Sequence, residues 1–257
     1  MQPTRIEAIK NTEDGLRRWV SIVETYSKAQ LTKSEDKLGS ISGLAQRLQR
    51  VMKGRYLAGL WEERLIEQLL WYTRPPSLCP KPYQSPTWSW AAISSMVCFS
   101  SSQLLRDYDL LVELVDVAVE NIGDNPLGQC KSGYLRLRGT VLPVLENWAG
   151  ESLEVSNLHM LGYGSGHAGF DPGAKEFVRD VIPDVVDDRP SGREVLVPIL
   201  DDSSYSYGLI LYATDTESGQ YWRIGYFNVR RWQKVRDQAF FQNEEDWSSF
   251  EKTITII

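Results

Sequence analysis

From residue 88 onward the chain offers about seven strand-like segments with no helical segment between them. That feature limits the fold more than any other. Parallel strands need long crossover connections, usually helices, so strands joined only by turns pair antiparallel. The segments are "TWSWAAI", "LLVELVDVAVENI", "GYLRLRGTVLPV", "EVLVPIL", "YGLILYAT", "YWRIGYF" and "KTITII". Val115, Val117 and Val119 alternate onto one face of the second. Leu135, Leu137 and Val141 face inward in the third, with Arg136 and Arg138 outward. Turn residues separate them: Gly123-Asp124-Asn125-Pro126, Ser132-Gly133 and Ser218-Gly219. Closure into a barrel or sandwich would remove the exposed edges of such a sheet.

The first third has a different period. Trp19, Ile22, Val23 and Tyr26 form one apolar stripe at helical spacing, with Asn11 or Thr12 as cap and Glu13 and Asp14 in the first turn. Leu38, Ile41, Leu44, Ala45, Leu48 and Met52 give a second stripe, with Ser34 as its N-cap. "LAGLWEERLIEQLLWY" reads as a third helix carrying Trp61, Leu65 and Leu69 on one side. Pro75, Pro76, Pro80, Pro82 and Pro86 then forbid regular structure. The expected architecture is α+β: helices over 12–72, a proline-rich loop over 73–87, and an antiparallel barrel or sandwich over 88–257. The whole is one domain. A glycine-rich and acidic excursion over 146–194 interrupts the sheet, and such excursions tend to carry function.

Composition narrows the function classes. The chain has 257 residues, 42% of them hydrophobic and 24% charged, as in ordinary globular proteins. A net charge of −6 argues against a nucleic-acid partner, which needs a dense basic face. No apolar run is long enough for a membrane span, and the N-terminus lacks the apolar core of a signal peptide. Cys79, Cys98 and Cys130 are scattered and odd in number, which suits free thiols and a cytoplasmic setting. The outlier is aromatic content: nine Trp and twelve Tyr against two His.

Chemical motifs are sparse. His159, His167 and Asp171 are too few and too widely spaced for a zinc site, so no metal is expected. Gly164, Gly166 and Gly169 satisfy G-x-G-x-x-G, but no strand precedes them and Pro172 follows, so no dinucleotide is expected. There is no nucleophile elbow. The acidic pairs Glu62-Glu63, Asp187-Asp188 and Asp201-Asp202 read as solvated faces. This inventory implies no cofactor. It leaves reactions that need no proton relay, in which a shaped apolar pocket holds a reactive substrate in one conformer.

Three stretches, "YSKAQLTKSEDKLGSISGLAQRL", "YLAGLWEERLIEQLLWY" and "SPTWSWAAI", together resemble the region downstream of the HET domain in fungal heterokaryon-incompatibility proteins. The later "GYLRLRG" and "RIGYF" resemble that family's C-terminal strands. The likeness spans roughly residues 15–257. The family's defining N-terminal domain, with its tyrosine-tryptophan-glycine strand, has no counterpart here. The resemblance therefore implies a stand-alone version of the downstream module, without the cell-death signalling of the missing domain.

Two functions follow as expectations. The first is a cofactor-free cyclase of the Diels-Alder type, acting on a hydrophobic small molecule of fungal secondary metabolism. Trp61, Trp71, Trp88 and Trp90 are its candidate substrate-binding residues, and Tyr163, His167 and Tyr83 its candidate catalytic donors. The loop around 159–171 is expected to cover the pocket as a lid. The second is a non-catalytic module that binds a protein partner in self/non-self recognition. The paired tryptophans of "SPTWSWAAI" serve either as core or as pocket wall.

Overall fold

A computed structural model describes residues 6, 9–29, 36–78, 83–99, 108–143, 178–186, 193–202, 204–215, 217–230 and 249–257. The first helix, α1 (Thr12–Ser27), starts where its cap predicts. The Asn11 side chain accepts from the Asp14 amide at 2.8 Å, and Leu16, Trp19, Val20 and Val23 are buried. In α2 (Lys37–Leu48), Leu38, Ile41, Ala45 and Leu48 turn inward while Leu44 stays exposed. Asp36 occupies the N-cap position without a capping bond, and Ser34 lies outside the described residues.

The third expected helix is mostly not one. Residues 56–61 form a tight hairpin, β1 (Tyr56–Leu57) against β2 (Leu60–Trp61), followed by only one helical turn, α3 (Leu65–Gln68), and by β3 (Trp71–Thr73). Two local features overrule the helical period. Ala58 and Gly59 both have positive φ, 49° and 96°, the handedness that two-residue hairpin turns favour. Gln68, fully buried, then acts as a piece of backbone. Its side chain accepts from the Trp61 amide at 3.1 Å and donates to the carbonyls of Trp61, Glu63 and Arg64.

"TWSWAAI" is not a strand either. It is a turn that runs into a 3-10 turn, Trp90–Ala92. Its neighbours in sequence are short strands: β4 (Ser77–Leu78) inside the proline-rich stretch, and β5 (Val97–Phe99), which pairs with β3.

The other six expected strands are present. They contribute to β6 (Asp109–Leu110), β7 (Val112–Asn121), β8 (Cys130–Thr140), β9 (Leu142–Pro143), β12 (Glu194–Asp202), β13 (Tyr205–Ala213), β14 (Gln220–Arg230) and β15 (Glu251–Ile256). The far end of the 146–194 excursion adds β10 (Val178–Pro183), paired to β14, and β11 (Val185–Val186), paired parallel to β4. Among the described residues nine strands form one sheet, seven of them in the path β6-β12-β13-β14-β15-β8-β7. The pairing is mostly antiparallel, with a short parallel contact between β14 and β15. The sheet curls until β6 and β9, the two ends of the β7–β8 hairpin, both cover the outer edge of β12. It stops short of a closed barrel.

Val117 and Val119 face inward as expected, but Val115 is exposed. A bulge between Leu114 and Asp116 shifts the register there and turns its side chain outward.

One apolar cluster runs from Ile6 and α1 through the hairpin to Ile256. A buried ion pair stitches its layers. Arg223 on β14 meets Asp184, between β10 and β11, at 2.7 Å. It also donates to the carbonyls of Leu69 and Trp71 and lies 3.3 Å from the Trp71 ring centroid.

Candidate functional site

The four candidate tryptophans, Trp61, Trp71, Trp88 and Trp90, are all fully buried. Around them runs a set of buried hydrogen bonds in which the "WSW" stretch takes part. The Ala58–Gly59 turn is buried, so its carbonyls need donors that water cannot supply. Gly59 O accepts two indole N–H groups, from Trp19 at 2.9 Å and from Trp90 at 2.8 Å. Ala58 O accepts from Ser89 Oγ, which also caps the 3-10 turn through the Ala91 amide. Trp71 donates to Trp88 O at 3.0 Å. Gly59 is required twice over: by its φ, and because a Cβ there would sit 2.6 Å from Trp90 Nε1. The Trp-Ser-Trp stretch is thus the hydrogen-bonding sleeve of a buried hairpin.

What this scaffold leaves unsatisfied is more informative. The Trp61 and Trp88 indole nitrogens and the Tyr56 hydroxyl are buried with no hydrogen-bond partner among the described residues. Tyr56 stacks edge-on to Trp61 and Trp19, with ring centroids 5.1 and 5.6 Å away. Burial pushes its hydroxyl pKa well above 10, and the neighbouring Cys130 and Tyr26 push it further the same way.

Cys130 donates its thiol proton to Asn121 Oδ1 at 3.9 Å, across the β7–β8 hairpin. It opens β8 and is buried, which raises its thiol pKa to about 11. A thiol kept protonated by burial is a weak nucleophile near neutral pH. Ser85 Oγ, also buried, lies against that thiol and has no oxygen or nitrogen partner among the described residues. Tyr83 is the exposed member. About half its surface meets solvent, yet burial is the first cause of its raised hydroxyl pKa, and Cys130 the second. The 83–86 segment is held down on the sheet: Pro86 packs where Gly133 lacks a side chain, 2.7 Å from the position of a Cβ.

Tyr56 and Ser85 thus carry buried hydroxyls without partners among the described residues, and Tyr83 stays half-exposed. Of the sequence candidates, Trp61 meets Tyr56 edge-on, and Tyr83 is exposed on the segment that packs against β8. Tyr163 and His167, with the whole expected lid, lie outside the described residues. Tyr56, Ser85 and Cys130 carried no motif. Only the pairing of Tyr56 with Trp61 across the hairpin, and the packing of 83–86 on β8, reveal them.

Among the described residues no group of three or more His, Cys, Asp or Glu side chains is placed to hold a metal. No described helix is long and apolar enough to cross a membrane. The chain matches no family model, no curated protein and no solved structure. Any reading of its function therefore starts from the site itself.

Proposed function

We propose that the protein is a cofactor-independent cyclase of the pericyclic type, one that binds and orients a hydrophobic small molecule. The observation that carries this reading is the Tyr56 hydroxyl, buried and unpartnered against the rings of Trp19 and Trp61. A cycloaddition exchanges two π bonds for two σ bonds. It moves no proton and needs no redox partner. Holding diene and dienophile at contact lowers the entropic part of the barrier. A hydrogen bond to a carbonyl on the dienophile lowers its acceptor orbital.

The curled sheet serves as a half-open, barrel-like wall beside the site. The four tryptophans hold the wall in shape and Tyr83 faces the substrate. Tyr163 and His167 remain the proposed donors on the glycine-rich loop. Tyr163→Phe or His167→Ala is expected to slow turnover about tenfold, about 1.4 kcal/mol of barrier, without loss of folding. The direct test incubates the purified protein with linear triene-enones and follows ring closure by chiral chromatography. Rates and stereoisomer ratios equal to those in buffer across the set would end this reading.

The second reading is a HET-type interaction module. The stretches that carry the resemblance supply Tyr56, the Ala58–Gly59 turn and Trp88-Ser89-Trp90, which are framework residues, so the likeness speaks for a shared fold more than for chemistry. One observation favours a protein partner: β7 ends the sheet path, and Val115 and Ile122 beside it are exposed. Val115→Glu with Ile122→Glu would then abolish partner capture and leave any ring closure intact.

A further inference from the structure

At one side of the sheet the charges alternate by strand. β7 carries Glu113, Asp116 and Glu120 and no lysine or arginine, while β8 carries Lys131, Arg136 and Arg138 and no carboxylate. Contacts across the hairpin join the two columns. Arg138 meets Glu113 at 2.5 Å, Lys131 meets Glu120 at 2.6 Å, and the Tyr134 hydroxyl donates to Asp116 at 2.7 Å. Arg138 also reaches Glu251 on β15, 3.7 Å away. Arg55 adds its charge at Asp116, but Glu113 and Glu120 have their cations on the β8 side.

β7 ends the sheet path, and among the described residues no strand pairs with its other edge from Val112 onward. β12 pairs with β6 and takes the Leu111 amide, and its strand pairing goes no further along this edge. Here Glu113, Val115, Asp116, Glu120 and Ile122 are exposed, while Leu114 and Val119 on the inner face are half-buried at the rim of the core.

An unpaired edge is a template for another strand. A bulge at Val115 divides this one, and Asp116 Oδ1 takes the Val117 amide at 2.8 Å, so an added strand bonds on either side of the bulge. What it would face decides its side chains. Cations across from Glu113, Asp116 and Glu120 stabilise the pairing, and like charges there destabilise it. Apolar residues on the inner face would complete the burial of Leu114 and Val119. A second copy of this chain fits badly, because the fully overlapped antiparallel register sets Glu113 of one copy against Glu120 of the other. The net charge of −6 adds a long-range attraction for a cationic segment.

We propose that the free edge of β7 takes an extended segment of another protein in which lysine or arginine alternates with apolar residues. This rests on the interaction-module reading above and names the chemistry of its partner.

The probe is the acetylated and amidated peptide Lys-Val-Lys-Val-Lys-Val-Lys, with a fluorophore for anisotropy and 13C carbonyls for isotope-edited infrared spectroscopy. One control is the Glu-Val counterpart. The other is the same Lys-Val peptide N-methylated at each valine, which keeps the charge and loses a row of backbone donors. The wild type is expected to bind the Lys-Val peptide about tenfold more tightly than either control, with the labelled carbonyls moving to strand absorption. Glu113→Lys with Glu120→Lys should reverse the preference in favour of the Glu-Val peptide. Both glutamates are more than half exposed and their ion pairs contribute little to folding, which circular dichroism checks. Equal binding of the N-methylated peptide, binding without strand absorption, or a preference that survives the charge reversal would each overturn the proposal. A dimer in sedimentation that excludes the Lys-Val peptide would assign the edge to a second copy and overturn it too. Loss of the charge preference, with Val115→Glu and Ile122→Glu still abolishing partner capture, removes this partner and leaves the interaction module. The converse removes the module reading and leaves a peptide-binding edge.

Discussion

The shared carbonyl of Gly59 makes a measurable prediction about why the chain spends two tryptophans on one turn. Trp19→Phe and Trp90→Phe each remove one indole donor and some buried volume. Each is expected to cost about 2–3 kcal/mol, roughly 1 from the hydrogen bond and the rest from the space left behind. After either single change Gly59 O still has a donor, at 2.8 or 2.9 Å. After both, a buried carbonyl has none, and leaving it bare costs about 1–3 kcal/mol more. The double variant should thus be less stable than the sum of the singles by that amount. The assay is urea unfolding of the four proteins of the cycle. Packing alone also couples neighbours, so Trp19→Phe with Trp61→Phe serves as control. Those rings meet 5.9 Å apart edge-on, but Trp61 does not donate to the carbonyl. A coupling below about 0.5 kcal/mol in the Trp19–Trp90 cycle, or one equal to the control, would refute the account of the Trp-Ser-Trp stretch as the sleeve of this turn.

Other changes test other parts of the fold. Gly39 and Gly43 lie on the exposed side of α2 with open space where a Cβ would go, so Gly39→Ala with Gly43→Ala should add about 2 kcal/mol to the unfolding free energy; no gain in urea midpoint would place strain in that helix. Lys37 is buried with its ammonium on the Ile93 carbonyl, and burial lowers its pKa from 10.5 to about 8. The unfolded chain then holds the extra proton between those values, so stability should rise with pH from about 8 to 10.5, by roughly 3 kcal/mol in all. Lys37→Met should be more stable than wild type at pH 7 and lose that part of the slope; parallel pH profiles for the two proteins would contradict the burial of the amine. Asp184→Asn leaves the Arg223 guanidinium buried without its countercharge and should cost about 3–5 kcal/mol, readable in the same denaturation. A loss under 1 kcal/mol would mean that water reaches the pair.

Local pattern alone determined much of this protein. Alternation named six strands, because an antiparallel sheet with one buried face writes its period directly into the chain. Asn11 and the stripe through Trp19 fixed α1, since a cap and its first turn are contiguous.

Other assignments needed the tertiary structure. The stretch from Leu57 to Tyr72 keeps a helical period, yet it folds as a hairpin and one turn. Its backbone groups are satisfied by Gln68, Ser89, Trp19 and Trp90, partners up to 40 residues away. The same cause hid the nature of "SPTWSWAAI". Two indoles flanking one serine look like one face of a strand, and only the position of the Ala58–Gly59 turn shows that Ser89 and Trp90 serve its carbonyls. The unpartnered hydroxyls were hidden for a related reason. Tyr56 and Ser85 come from separate segments, and what marks them is the absence of partners for buried hydroxyls. Which hydrogen bonds go unmade depends on how the whole chain packs, so no local stretch of sequence records it.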